Sequence, residues 1–98
     1  MNIQSLLKQA QKMQSDLAKL EKDFESRVYV EENDLVRVEV NGKNKVLSIE
    51  IKSDSFEDKD LIQDMTVIAL NKANEKASKE REKEMSKLTG GMKMPGVF

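Results

Sequence analysis

The stretch VRVEVNGKNKVLSIEI, residues 36–51, is the part of this sequence that says most about its fold. Apolar side chains recur at every second position on both sides of a central Asn41-Gly42 pair. A period of two predicts strands with one buried face, and an Asn-Gly pair is typical of a tight hairpin turn. The stretch therefore predicts two antiparallel strands, Val36 to Val40 and Leu47 to Ile51.

A third strand precedes this hairpin. Val28 and Val30 alternate with Tyr29 and Glu31, again with a period of two. The turn-forming residues 32–34 (Glu-Asn-Asp) separate this segment from Val36. Because such short connections join neighbouring strands, we expect a three-stranded antiparallel meander.

Two long helices flank the predicted sheet. From Asn2 to about Glu25, apolar residues recur at alternating spacings of three and four, and Asn2 is suited to cap the helix. A second helix is predicted from Asp58 to Leu88, where Gly90-Gly91 follows as a stop. The sequence thus predicts an α+β fold with the order α-β-β-β-α.

The second helix is too long for a compact domain of this size. Its predicted 31 residues span roughly 46 Å, whereas a globule of this length is about 30 Å across. Residues 78–84 contain no apolar side chain, so we expect the C-terminal half to project and to pair with the first helix as an antiparallel arm. The positions expected to pack in the core or in a dimer are Val36, Val38, Val40, Leu47, Ile49, Ile51, Leu61, Met65 and Ile68.

Composition narrows the function. The 98 residues include no cysteine and no histidine, which excludes disulfides, thiolate or imidazole metal sites, and histidine-dependent catalysis. We expect one domain over residues 1–88, a flexible tail over residues 89–98, and neither a metal nor a cofactor. No apolar run is long enough for a signal peptide or a membrane span, which indicates the cytoplasm.

Lysines form the most suggestive pattern. On each predicted helix they share one sector, opposite the apolar seam of the first helix and along the far half of the second. One interpretation is a solvated helix surface, and the other is a stripe that tracks the phosphates of a nucleic acid. The candidate contacts are Lys8, Lys12, Lys72, Lys76, Lys79, Lys83 and Lys87.

Several segments resemble the YbaB/EbfC family of bacterial nucleoid-associated proteins. They are LLKQAQKMQ (residues 6–14), residues 36–51, DKDLIQDMTVIALNKANEKA (residues 58–77) and MSKLTGGMKMPGVF (residues 85–98). The resemblance implies a tweezers-shaped homodimer and non-enzymatic DNA binding by the two helices, with the stretch Lys8 to Gln14 and the basic positions of the second helix as contacts. In place of the family's glycine-rich turn before the second strand, this chain has Glu31-Glu32-Asn33-Asp34.

Two hypotheses follow from these patterns. The first is a cytoplasmic, nucleoid-associated homodimer that binds double-stranded DNA through lysine-lined helices, mostly by phosphate contacts, with no membrane or small-molecule substrate as partner. The alternative is a protein–protein adaptor whose helical arms clasp another protein while the lysines only solvate the helices. An enzyme is not expected, because the side chains most often used for catalysis are missing.

Overall fold

The computed structural model of the chain describes residues 2–52 and 58–88. The elements, in chain order, are α1 (Ile3–Ser26), β1 (Val28–Glu32), β2 (Val36–Asn41), β3 (Val46–Ile51) and α2 (Lys59–Leu88). The strands form one sheet in the order β1-β2-β3, and both pairs are antiparallel. The predicted α-β-β-β-α meander is confirmed. The predicted flexible tail, residues 89–98, lies outside the described residues.

Short polar side chains begin both helices. Asn2 has an extended backbone, and its Oδ1 accepts a hydrogen bond from the Gln4 amide at 3.1 Å. Asp58 does the same for α2, with Oδ1 3.0 Å from the Leu61 amide. Each bond satisfies an amide that has no partner within the helix, and the Asp58 carboxylate also suits the positive end of the helix dipole. These caps fix where the helices begin.

The core is a contact between valines of β2 and alanines of α2. Both sets are almost completely buried, with exposed fractions of 0–2%. Alanines spaced by four residues form a low ridge on the helix, so α2 approaches the sheet closely enough to enclose the valine side chains. The residues in contact are Val36, Val38 and Val40 of β2 and Ala69, Ala73 and Ala77 of α2.

Helix α2 covers only part of the sheet. In the strand register Tyr29 lies opposite Val40, and Ile49 lies opposite Val38, so these residues share the face that α2 covers. Tyr29 packs against the core, but every residue of β3 is exposed, Ile49 by 47%. The opposite face of the sheet carries Val28 and Val30 of β1 beside polar residues of β2 and β3, and there Ser48 donates a hydrogen bond to Glu39 at 2.9 Å. The strand β3 is therefore an uncovered apolar edge.

The contact face of α2 differs from the one expected from sequence. The helical period places Leu61, Met65, Ile68 and Ala69 on the side of α2 expected to cover the sheet, and Ala77 on the opposite side. Ala69 is buried in the core as expected, and Met65 is half-buried against it. Ala77, however, is also fully buried there, while Leu61 and Ile68 are each 46% exposed. The helix instead turns its alanine ridge to the sheet, because small residues permit the closest packing.

The overhanging part of the molecule also differs from the expectation. Helix α2 still binds the sheet at Arg81, which donates to the Gly42 carbonyl, so only its last two turns pass beyond the strands. The antiparallel pairing of the helices is confined to this region, where Arg27 meets Glu84. Residues 3–12 of α1 are all exposed, and the molecule measures 68 × 23 × 15 Å. The longer projection among the described residues is α1.

Candidate nucleic-acid interface

The predicted lysines all lie at the surface. Lys8 and Lys12 are on the projecting half of α1, and the lysines of α2 follow one side of that helix. That side faces β1, since residues 72 and 76 approach Glu31 there. The stripe therefore begins beside the sheet and continues past its edge to Lys87.

One lysine of the stripe, Lys76, forms an ion pair and a hydrogen bond with β1. Lys76 Nζ lies 2.8 Å from Glu31 Oε1 and donates a hydrogen bond to the Val30 carbonyl at 3.0 Å. The hydrogen bond from Lys76, aided by the charge of Lys72, lowers the pKa of Glu31 below its ordinary value of 4.5. Lys76 thus caps an unpaired carbonyl at the edge of β1. Glu31 serves as its counter-charge.

The remaining lysines differ in how free their charges are. Lys79 Nζ is 3.0 Å from Glu75 Oε1, an exposed pair one helical turn apart that contributes little to stability. Within residues 2–52 and 58–88, the other predicted contacts form no ion pair and present their charge to solvent. They are Lys8, Lys12, Lys72, Lys83 and Lys87.

A groove lies where the two helices meet. It has a volume of about 580 Å³ and is lined by Asp16, Lys19, Leu20, Asp23, Arg27, Glu84, Lys87 and Leu88. Arg27 is central, with Nη1 2.8 Å from Glu84 Oε2 and Nε 2.8 Å from Asp23 Oδ2. Glu84 first, and then Asp23, raise the pKa of Arg27. Acidic and basic side chains are mixed along this groove and pair with one another. The groove is therefore a contact between the two helices rather than a binding pocket for an anion.

The β2–β3 turn also meets both helices, which the sequence did not indicate. Gly42 donates its amide to the Phe24 carbonyl of α1 at 2.9 Å, and Arg81 of α2 donates to the Gly42 carbonyl at 2.6 Å. The Asn-Gly pair identified the turn, but these partners are 18 and 39 residues away in the chain. Periodicity carries no information about such contacts.

No group of three or more acidic side chains among residues 2–52 and 58–88 is placed to hold a metal ion. In the same part of the chain, no helix combines the length and the apolar character needed to cross a membrane.

The fold has a counterpart among solved structures. An uncharacterized protein from Helicobacter pylori superposes with a TM-score of 0.84, covering 92% of this chain and 99% of that one. The two sequences are 21% identical, so the likeness establishes the shared fold.

Relatives found by sequence have higher identity to this chain than the Helicobacter pylori protein has. A nucleoid-associated protein of Clostridium novyi is 42% identical over 100% of this chain and 90% of its own length. One from Pelotomaculum thermopropionicum is 40% identical, over 99% and 96% respectively. The sequence profile of the YbaB/EbfC DNA-binding family matches residues 1–92. The resemblance found in the sequence is thereby confirmed, and the chain belongs to the YbaB/EbfC DNA-binding family.

Proposed function

We propose that this protein is a non-enzymatic, nucleoid-associated protein that binds duplex DNA as a homodimer through the lysines of its two helices. Membership of a DNA-binding family carries the proposal, and relatives named as nucleoid-associated support the nucleoid as its location. The surface is consistent with this role, because lysines without an internal counter-charge extend along both helices. Lysine neutralises phosphates and releases their counterions, which favours binding to any duplex.

The arrangement favours phosphate contact over base readout. A lysine ammonium is a compact point charge without the paired donors with which arginine recognises guanine. The stripe on α2 also lies beside Glu75 and Glu82, which repel a polyanion. We therefore expect modest affinity, strong dependence on salt and little discrimination between sequences.

The uncovered strand β3 supports the homodimer. Its apolar residues Ile49 and Ile51 lie opposite Val38 and Val36 on the core side of the sheet, yet they are 47% and 41% exposed. An exposed apolar edge strand also offers unpaired backbone groups. A second β3 placed antiparallel across a two-fold axis would pair those groups and bury the isoleucines.

Helix α2 carries a second set of exposed apolar side chains, Leu61 and Ile68, which lies away from β3. Leu61 and Ile68 fall on the same side of the helix as Lys72, toward β1, whereas the side chains at residues 74 and 78 point toward the β2–β3 turn. We assign the dimer contact to β3, where strand pairing and apolar burial coincide.

The decisive experiment is fluorescence anisotropy with labelled duplex DNA at several salt concentrations. We expect the logarithm of the association constant to fall linearly with the logarithm of salt concentration, and the slope to decrease by about one for each lysine contact removed. The pairs Lys8→Gln/Lys12→Gln and Lys79→Gln/Lys83→Gln test the two helices. Lys52→Gln is the matched control, because Lys52 pairs with Glu32 at 3.3 Å beside the sheet. Absence of binding at low salt, or binding indifferent to salt, would overturn the proposal.

The adaptor hypothesis has its own supporting observation. Ile3, Leu6 and Leu7 on the projecting half of α1 are 73%, 43% and 57% exposed, which suits an apolar protein contact. A stoichiometric protein partner that resists high salt and is lost in Leu7→Gln would favour this role. The lysine variants above would leave such a contact intact.

A further inference from the structure

The end of α1 is held closely by the β2–β3 turn. The Gly42 amide donates to the Phe24 carbonyl at 2.9 Å and lies 3.2 Å from the Arg27 carbonyl, so one donor meets both the last turn of the helix and the residue that follows it. Phe24 is fully buried and carries the Arg27 guanidinium 4.8 Å above its ring. Lys43, next in the turn, lies 3.6 Å from Glu25. The direction in which α1 leaves the sheet is therefore defined at this turn.

No room exists for a side chain at Gly42. A Cβ atom there would lie 2.7 Å from the Phe24 carbonyl oxygen and 2.8 Å from the Phe24 Cβ. Gly42 is not in the left-handed region that favours glycine, so the obstacle is Phe24 rather than the turn's own backbone. Since the nearest atom is backbone, an added methyl group must displace the end of α1.

The same turn is fastened to α2 from the other side. Arg81 Nη1 donates to the Gly42 carbonyl at 2.6 Å and to Asn44 Oδ1 at 2.7 Å. Asn44 adopts a left-handed backbone with φ of 66° and donates to the Asn74 carbonyl and the Ser78 hydroxyl, at 3.2 and 3.3 Å. An arginine is suited to this role, because its fixed donors bridge two acceptors at once.

We infer that this turn is a clamp that sets the angle of the α1 arm, with Gly42 and Arg81 as positioning residues for the α1 lysines. The inference rests on the proposed function for its consequence in DNA binding, but not for the clamp itself. Residues 3–12 are all exposed, and the groove that α1 forms with α2 lies nearer its C-terminal end, at residues 16–27. A small displacement at Phe24 is therefore carried along the whole arm.

Spin-label distances test the clamp directly. The chain has no native cysteine, so Gln11→Cys on α1 and Asn71→Cys on the outer side of α2 accept labels selectively. Labelled chains diluted with unlabelled ones report distances within a single chain. Gln11 lies about 20 Å from Phe24, so relief of the clash in Gly42→Ala should move its label by about 3 Å.

Matched variants separate the clamp from general damage. Arg81→Lys keeps the positive charge but loses the bridging geometry, and should broaden the distance distribution. Lys45→Arg, an exposed change in the same turn, should leave it unchanged. If Gly42→Ala does not fold, Arg81→Lys carries the test alone. Folded Gly42→Ala and Arg81→Lys proteins with the parental distribution would overturn the clamp.

DNA titration then tests the consequence. Gly42→Ala retains every lysine, so a loss of affinity of about tenfold is expected from misplaced arms that no longer engage one duplex together. A displaced arm with parental DNA affinity would overturn the positioning role. If the parent protein itself fails to bind DNA, the proposed function is wrong, while the distances still decide whether the clamp exists.

Discussion

The neighbouring strands β2 and β3 have almost the same pattern of apolar residues and opposite surroundings. In β2 the valines alternate with Arg37 and Glu39, and in β3 the isoleucines alternate with Ser48 and Glu50. Yet Val38 is completely buried, while its register partner Ile49 is 47% exposed. The difference arises because α2 lies over β1 and β2 and stops short of β3. Burial within one chain therefore depends on where a single helix lies across the sheet.

The contrast separates two roles for similar side chains. The valines of β2 contribute to folding of the single chain, because the alanine ridge of α2 encloses them. The isoleucines of β3 are 47% and 41% exposed in the single chain, and in the proposed dimer a second molecule would cover them. Three measurements test how the covered and uncovered parts of the sheet differ.

The largest effect is expected from truncation in β2. Val38→Ala removes two methyl groups from a fully buried site and should lower the free energy of unfolding by about 2–3 kcal/mol at every protein concentration. Urea unfolding followed by circular dichroism measures the loss. The comparison variant Ile49→Ala should cost less than about 1 kcal/mol in dilute protein and more at high concentration, where a dimer forms. Equal, concentration-independent losses would show that the two strands are covered alike.

The second largest effect is expected on formation of the proposed dimer. Ile49→Gln places a polar group in the proposed dimer contact and should raise the dissociation constant of the dimer about 10- to 100-fold. Sedimentation velocity at micromolar concentrations detects the shift. Ser48→Gln is the matched control on the polar face of the same strand, and it should sediment like the parent. A parent protein that is already monomeric, or an Ile49→Gln variant that still dimerises, would contradict the assignment of β3 to the interface.

The smallest effect on stability is expected at β1, the edge strand that α2 covers. The pKa of Glu31 is lowered by Lys76 in the folded chain, so the unfolded state binds the proton more readily. This contribution to stability is present above the ordinary value of 4.5 and is lost as the pH falls through the lowered pKa. Thermal unfolding between about pH 3 and pH 7 should show the loss in the parent, amounting to less than about 1 kcal/mol.

The control for this measurement is Glu31→Gln, which should lack the corresponding part of the pH dependence. The charge-preserving variant Glu31→Asp is shorter and should retain only part of it. Identical pH profiles for the parent and Glu31→Gln would show that the pair with Lys76 does not contribute.

Much of the fold was predictable because it depends on local patterns. The period of two around Asn41-Gly42 gave the hairpin, and the spacing of apolar residues gave both helices with the Asn2 cap. The lysine stripe was also visible, since it needs only the helical period. The unequal availability of these lysines was not predictable, because Glu31, which pairs with Lys76, lies 45 residues away along the chain on another element.

Local sequence patterns were sufficient to predict the order of elements, the meander and the surface position of the lysines, since each follows from neighbours within a few residues. They did not show that the alanine ridge of α2 faces the sheet, that β3 stays uncovered, or that Gly42 contacts both helices. These features depend on how closely two elements approach and on where one lies across another. Both are set by side-chain volumes and hydrogen bonds between distant residues, which a linear pattern does not record.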